Sequence, residues 1–156
     1  MNRSGDLVQL MVTERPIRSG NRNRAVPQDA SLHSAAPLRI AVVDDEAALL
    51  RVLQRALALR GHQVDTFESG SLFLSAWQQE RSYDVILLDI CMPGLSGIEV
   101  FDTLSAEPSP HPRVVIISGW DCTGRLHELL RDQRVDFLQK PFRMDAMLSM
   151  IQNTAP

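Results

Sequence analysis

Tyr83-Asp84-Val85-Ile86-Leu87-Leu88-Asp89 is the stretch whose reading decides the fold. Residues 83–88 are the most strand-like run in the chain, and the four apolar residues before Asp89 leave no polar face to turn to water. A strand of that kind is buried on both sides, as in a parallel sheet. It closes on a carboxylate, at the end where such sheets place their chemistry.

Working upstream, Leu38–Val43 is a second nearly continuous apolar run. Between the two lie Leu50, Leu53 and Leu57 at helical spacing, with Gly61 as a stop signal. Gln63–Phe67 reads as a strand. Ser69 is placed to cap a helix whose inner face is Phe73, Ala76 and Trp77. Downstream, Ser96-Gly97-Ile98-Glu99 fits a capping box opening a helix through about Ala106. Pro108, Pro110 and Pro112 then mark a loop. Arg113–Ile117 and Val135–Leu138 read as strands. Leu126, Leu129 and Leu130 mark a helix between them, and Met144, Met147, Leu148 and Ile151 define a last one. Five strands alternating with five helices predict an α/β domain, with one parallel sheet covered on both faces.

Composition is that of an ordinary globular protein: 44% hydrophobic, 22% charged, net charge −3. There is no apolar run of membrane length and no secretory signal core, so a cytoplasmic protein without a membrane role is expected. The acidic balance gives no reason to expect direct DNA binding. Residues 1–37 stand apart, with five Arg against three acids and no sustained period. They read as a disordered basic tail preceding a domain over 38–156.

The chain has a single lysine, Lys140, among sixteen basic residues. Arginine serves wherever a positive charge is merely needed, so the exception suggests a site requiring a compact ammonium. The strand ends supply that site. Asp44, Asp45 and Glu46 follow the first strand, Asp89 ends the third, Ser118 follows the fourth and Lys140 the fifth. All converge on one sheet edge. Two carboxylates about 5 Å apart at an effective dielectric near 20 repel by roughly 3 kcal/mol. Several such pairs approach a domain's whole stability. Lys140 supplies one counter-charge, and a hard divalent cation, with Mg²⁺ the first candidate, supplies the rest. A carboxylate so placed can attack phosphorus. The cation would then neutralise one phosphate oxygen, Lys140 a second, and the Ser118 hydroxyl would donate to the third.

Asp44-Asp45, the segment Asp89–Gly97, Ser118-Gly119 and Phe137-Leu138-Gln139-Lys140-Pro141-Phe142 together resemble the signature of the receiver domain of two-component response regulators. Asp45 to Asp89 is 44 residues, Asp89 to Ser118 is 29 and Ser118 to Lys140 is 22, intervals that match the family. The resemblance covers about residues 38–154. It implies a flavodoxin-like sheet of order 2-1-3-4-5 and phosphorylation on Asp89. It implies Mg²⁺ held by Asp44, Asp45, Asp89 and the backbone carbonyl of Cys91, and phosphate contacts from Ser118 and Lys140. Ser118 and Phe137 take the switch positions, and Lys140–Pro141 matches a bond that is usually cis. The implied partners are a sensor histidine kinase or histidine phosphotransfer protein and a downstream protein target. Such a chain is a phosphoacceptor catalysing its own phosphorylation and dephosphorylation, not an enzyme acting on a separate substrate. Since the sequence stops after the last helix, signalling by protein contact without an output domain is expected.

Four features depart from the pattern or stand outside it. Gln133-Arg134 occupies the place where many relatives have glycine, and Trp120 is bulky beside the pocket. Cys91 and Cys122 are read as free thiols, and the four histidines as surface and loop residues. The competing class is a receiver-like interaction module that is never phosphorylated. A flavin or nucleotide carrier would need a Gly/Ser/Thr-rich loop after the first strand, where this chain has three acids.

Overall fold

The computed structural model describes residues 36–108, 110–119 and 126–152. Most of the basic tail, Trp120 and Cys122 lie outside the described residues. The elements in chain order are β1 (Arg39–Val43), α1 (Ala47–Ala58), β2 (Gln63–Phe67), α2 (Gly70–Gln79) and β3 (Val85–Asp89). They continue with α3 (Gly97–Ser105), β4 (Arg113–Ser118), α4 (Leu126–Leu129), β5 (Val135–Gln139) and α5 (Met144–Gln152). The five strands form one parallel sheet of order β2-β1-β3-β4-β5. Parallel neighbours cannot be joined by a tight hairpin, so each pair is bridged by a crossover carrying a helix. Among the described residues no helix is long and apolar enough to cross a membrane.

Side chains alternate between two cores, one on each sheet face. Ala41, Val43, Ile86, Leu88, Val114 and Ile116 face one core, closed by Phe73 and Trp77 of α2 and Val100, Phe101 and Leu104 of α3. Ile40, Val42, Val85, Leu87, Val115 and Ile117 face the other, closed by Leu50, Leu53 and Leu57 of α1 and Met147, Leu148 and Ile151 of α5. The helical spacings seen in the sequence are thus the buried stripes. The α3 capping box forms, with Ser96 N–H donating to Glu99 at 2.9 Å and Glu99 N–H to Ser96 Oγ at 3.4 Å.

Two local readings are corrected. Tyr83 and Asp84 precede β3, which starts at Val85. Asp84 is occupied in clamping the start of β1: Arg39 N–H donates to its carboxylate at 2.7 Å, and its own N–H donates to Arg39 O at 2.8 Å. Tyr83 instead stacks on Trp77 and donates its hydroxyl to Asp65 at 2.9 Å. Burial, with the Asp65 carboxylate beside it, pushes that hydroxyl's pKa up to about 12. His62 is buried rather than a surface histidine, and its Nδ1 accepts from Leu38 N–H at 3.2 Å. Burial, aided by Arg60, lowers its pKa, as suits a neutral acceptor. The missing glycine near 133 is resolved too. The turn after α4 is closed by Asp132, which accepts from both Arg134 N–H (2.9 Å) and Arg134 Nε (3.0 Å).

Candidate functional site

The register delivers the site residues together. Val43 pairs with Leu88 and Asp89 with Ile117, so Asp44 and Asp89 emerge at the same level from adjacent strands. Ser118 pairs with Gln139, and Lys140 N–H donates to Ser118 O at 2.8 Å. The cis Lys140–Pro141 bond follows directly. Lys140 Nζ donates to Asp44 Oδ2 and to Asp89 Oδ2, each at 2.6 Å. One ammonium therefore bridges two nearly buried carboxylates, which are 2% and 4% exposed as residues.

Their remaining oxygens are held alike. Asp44 Oδ1 accepts from Glu46 N–H and Asp89 Oδ1 from Cys91 N–H, both at 2.8 Å. Each is a local turn in which the side chain captures the amide two residues on. The acids are thus positioned by their own loops before any ligand arrives. Burial holds the Asp44 carboxyl above the usual range, although Lys140 and the Glu46 amide pull it down. Burial also lowers the Lys140 ammonium, but its bonds to Asp44 and Asp89 outweigh this and hold it above the usual lysine value. The two directions agree physically. Lys140 faces two carboxylates, whereas Asp44 shares one ammonium with Asp89 and has little water.

Asp45 is exposed beside this pair, and one oxygen from each of Asp44, Asp45 and Asp89 falls within 4.8 Å of the others. An all-oxygen, mostly anionic donor set with an accessible member fits a hard divalent cation such as Mg²⁺. An acidic cluster left to itself is no proof of a metal. Here, however, three negative charges meet one ammonium, and the deficit is the physical reason to expect a cation.

Ser118 is fully buried, and its hydroxyl donates to Gly119 O at 3.2 Å. Phe137 is half-buried against the core under α2 and α3. Cys91 is exposed and disulfide-bonded, which corrects its reading as a free thiol. Its sulfur lies 3.5 Å from Ser118 Oγ. A cavity of about 410 Å³ adjoins the site, lined by Glu46, Leu49, Lys140, Pro141 and Phe142.

Gly97 supports the site in a way that spacing alone did not reveal. A Cβ there would lie 2.1 Å from Asp89 O and 2.8 Å from Ile90 Cα. Only glycine lets the start of α3 press against the peptide that carries Asp89. Gly97→Ala is expected to cost about 3 kcal/mol, the upper end for an overpacked site. Urea denaturation measures it, and a midpoint equal to wild type would refute the contact.

A family model for the response regulator receiver domain matches residues 40–152. The chain is 35% identical over 114 residues to the transcriptional regulatory protein FixJ of Bradyrhizobium diazoefficiens, covering 73% of this chain and 55% of that protein. It is 34% identical over 113 residues to the transcriptional regulatory protein KdpE of Mycobacterium tuberculosis, covering 72% and 49%. The chain thus spans about half the length of these curated relatives. Among solved structures, the receiver domain (CheY-like) of Methylobacillus flagellatus superimposes with TM-score 0.65 at 26% identity, covering 76% of this chain and 99% of that one. Sheet order, strand-end acids and these matches agree, and the chain belongs to the response regulator receiver domain family.

Proposed function

We propose that this chain is a Mg²⁺-dependent phosphorylation switch that accepts a phosphoryl group on Asp89 from a phosphohistidine of a sensor kinase or histidine phosphotransfer protein. The observation that carries this reading is the Lys140 ammonium bridging Asp44 and Asp89, with Asp45 alongside. It is a charge arrangement short of one divalent cation.

Asp89 is the nucleophile. Its carboxylate attacks phosphorus, the P–N bond to the donor histidine breaks, and the electron pair stays on the imidazole. The loop amide of Cys91 keeps the carboxylate from rotating during attack. Lys140, already within reach, offsets charge on the incoming phosphoryl oxygens. Ser118 turns its hydroxyl from the Gly119 carbonyl toward the phosphate. Asp44, Asp45, Asp89 and the Cys91 carbonyl would hold Mg²⁺, whose chemistry when bound is charge neutralisation at the transferring group. The domain thereby catalyses its own phosphorylation and later dephosphorylation, with no separate substrate turned over. Phosphorylation adds about −1.5 to −2 charge. Phe137 has no hydroxyl, so it registers that change by repacking alone. A face including α4, β5 and α5 then passes the state to a protein partner in the cytoplasm. The named relatives are transcriptional regulators, and the match spans about half of each.

Two measurements test the reading. With acetyl phosphate and Mg²⁺, the chain should gain one phosphoryl group on the peptide containing Asp89. Mg²⁺ at 100 times its dissociation constant should stabilise the fold by about 2.7 kcal/mol. Asp45→Ala should abolish most of that gain. A melting midpoint indifferent to Mg²⁺, with no label taken up, would leave an interaction module that is never phosphorylated.

A further inference from the structure

We infer that Glu46 is a donor-specificity residue: its carboxylate accepts the far N–H of a phosphorylated imidazole seated in the cavity beside Lys140 while Asp89 attacks phosphorus. The inference rests on the phosphoacceptor reading above and adds the side chain that recognises the leaving group. The cavity measures about 410 Å³, and Leu49, Pro141 and Phe142 give it apolar walls. Its two charged members are Lys140 and Glu46. Lys140 Nζ donates to Asp89 Oδ2 at 2.6 Å, so one wall of the cavity touches the phosphoacceptor. A phosphoryl group has no use for three apolar side chains. A flat ring with apolar faces and a polar edge does.

The Glu46 side chain has no structural duty in its own loop. It occupies the N-cap of α1, where Ser, Thr, Asp or Asn is preferred, and it makes no side-chain capping bond. The loop uses only its backbone. Its N–H donates to Asp44 Oδ1 at 2.8 Å, and its carbonyl accepts from Leu50 N–H at 3.1 Å. Both bonds survive a change of side chain. The exposed carboxylate is thus carried by a fixed backbone to the wall of a cavity that adjoins Asp89.

The leaving group explains why an acceptor is wanted there. A carboxylate oxygen of Asp89 forms the new O–P bond, the P–N bond breaks, and its electron pair returns to the ring nitrogen. A ring without a proton on its other nitrogen would depart as imidazolate, a poor leaving group. A ring protonated there departs as neutral imidazole, and no further proton has to move. By accepting from that N–H, Glu46 favours the protonated ring and fixes its orientation. Lys140 stays with the phosphoryl oxygens. Acetyl phosphate has no ring, and its acetate departs without a proton, so the Glu46 carboxylate offers that donor nothing.

The test follows phosphoryl uptake by the full chain with Mg²⁺ from monophosphoimidazole and from acetyl phosphate, and reads the ratio of the two rates. A change that merely disturbs Asp44 or the Mg²⁺ site slows both donors and cancels in the ratio. In Glu46→Ala the ratio should fall about 30-fold against phosphoimidazole, the rate equivalent of one hydrogen bond to a charged group. Glu46→Gln keeps the shape and a neutral acceptor, so its ratio should fall by about 5-fold. That variant carries the test alone if the alanine protein does not fold. A ratio in Glu46→Gln that is unchanged or higher would overturn the assignment while leaving the phosphoacceptor reading intact. Wild-type protein labelled by acetyl phosphate but not by phosphoimidazole would do the same. Wild-type protein labelled by neither donor would sink both readings together.

Discussion

Asp89→Asn protein takes up no phosphoryl group from acetyl phosphate at any Mg²⁺ concentration; that is the largest effect expected of any single change in this chain. An amide nitrogen and a neutral carbonyl oxygen replace a carboxylate, and neither can form an acyl phosphate. The loss should not come from unfolding. Lys140 keeps its bond to Asp44, and removing one of three neighbouring acids relieves repulsion. The variant's stability in chelator should therefore stay within about 1 kcal/mol of wild type, or rise. Intact-mass measurement over a labelling time course checks the first expectation and urea denaturation the second. A variant that still gains a phosphoryl group would remove Asp89 from the chemistry.

The second large effect is on stability. Lys140→Ala strips the ammonium from two nearly buried carboxylates whose other oxygens are already committed to backbone amides. Removing one partner of a buried pair costs about 3–5 kcal/mol. Lys140 has a side chain 26% exposed, which argues for the low end. In chelator the variant should melt roughly 10 °C lower, on the scale that relates free energy to midpoint for a domain of this size. Mg²⁺ should return much of the loss without restoring fast phosphoryl uptake. Adding Asp44→Asn should also recover stability, since the two changes share one interaction. The pH dependence has a definite sign. Lys140's raised folded pKa means its contribution is complete below the ordinary lysine range and is lost only as pH climbs through the raised value. Asp44 has the same sign, over a lower pH window. Its folded pKa is raised, so the folded state binds the proton more readily and gains stability as pH falls through that value toward the unfolded one. In the variant, mild acid should therefore narrow the gap from wild type. Equal midpoints in chelator would show that the ammonium is not the counter-charge it is taken to be.

Much of this architecture was legible because burial leaves a period. Ile86-Leu87-Leu88 could only be a two-sided strand, and Leu50, Leu53 and Leu57 could only be one helix face. The site was legible because a parallel sheet sends every strand's carboxyl end to one edge, so linear spacing translated into proximity. What stayed hidden depends on individual atoms. Nothing in the composition of 83–85 says that Asp84 clamps β1 instead of joining the ladder. His62 looked like a loop residue because the hydrogen bond its ring accepts comes from Leu38, 24 residues back. Gly97 read as part of a capping box, and only the approach of Asp89 O shows why no larger residue fits. Cys91 showed no pairing pattern, since two cysteines set no framework.

The ammonium that settles the acidic edge comes from far along the chain, 96 residues after Asp44 and 51 after Asp89. A ribosome making this protein releases both acids long before it releases their counter-charge. Each adjacent strand pair also waits for an intervening helix, so no early hairpin can lock part of the sheet. A nascent chain lacking β5 carries unscreened charge at its half-built edge and has reason to stay open. Completion of the last strand then supplies the missing hydrogen-bonded neighbour and the missing charge in one stroke, which favours late, all-at-once closure during synthesis.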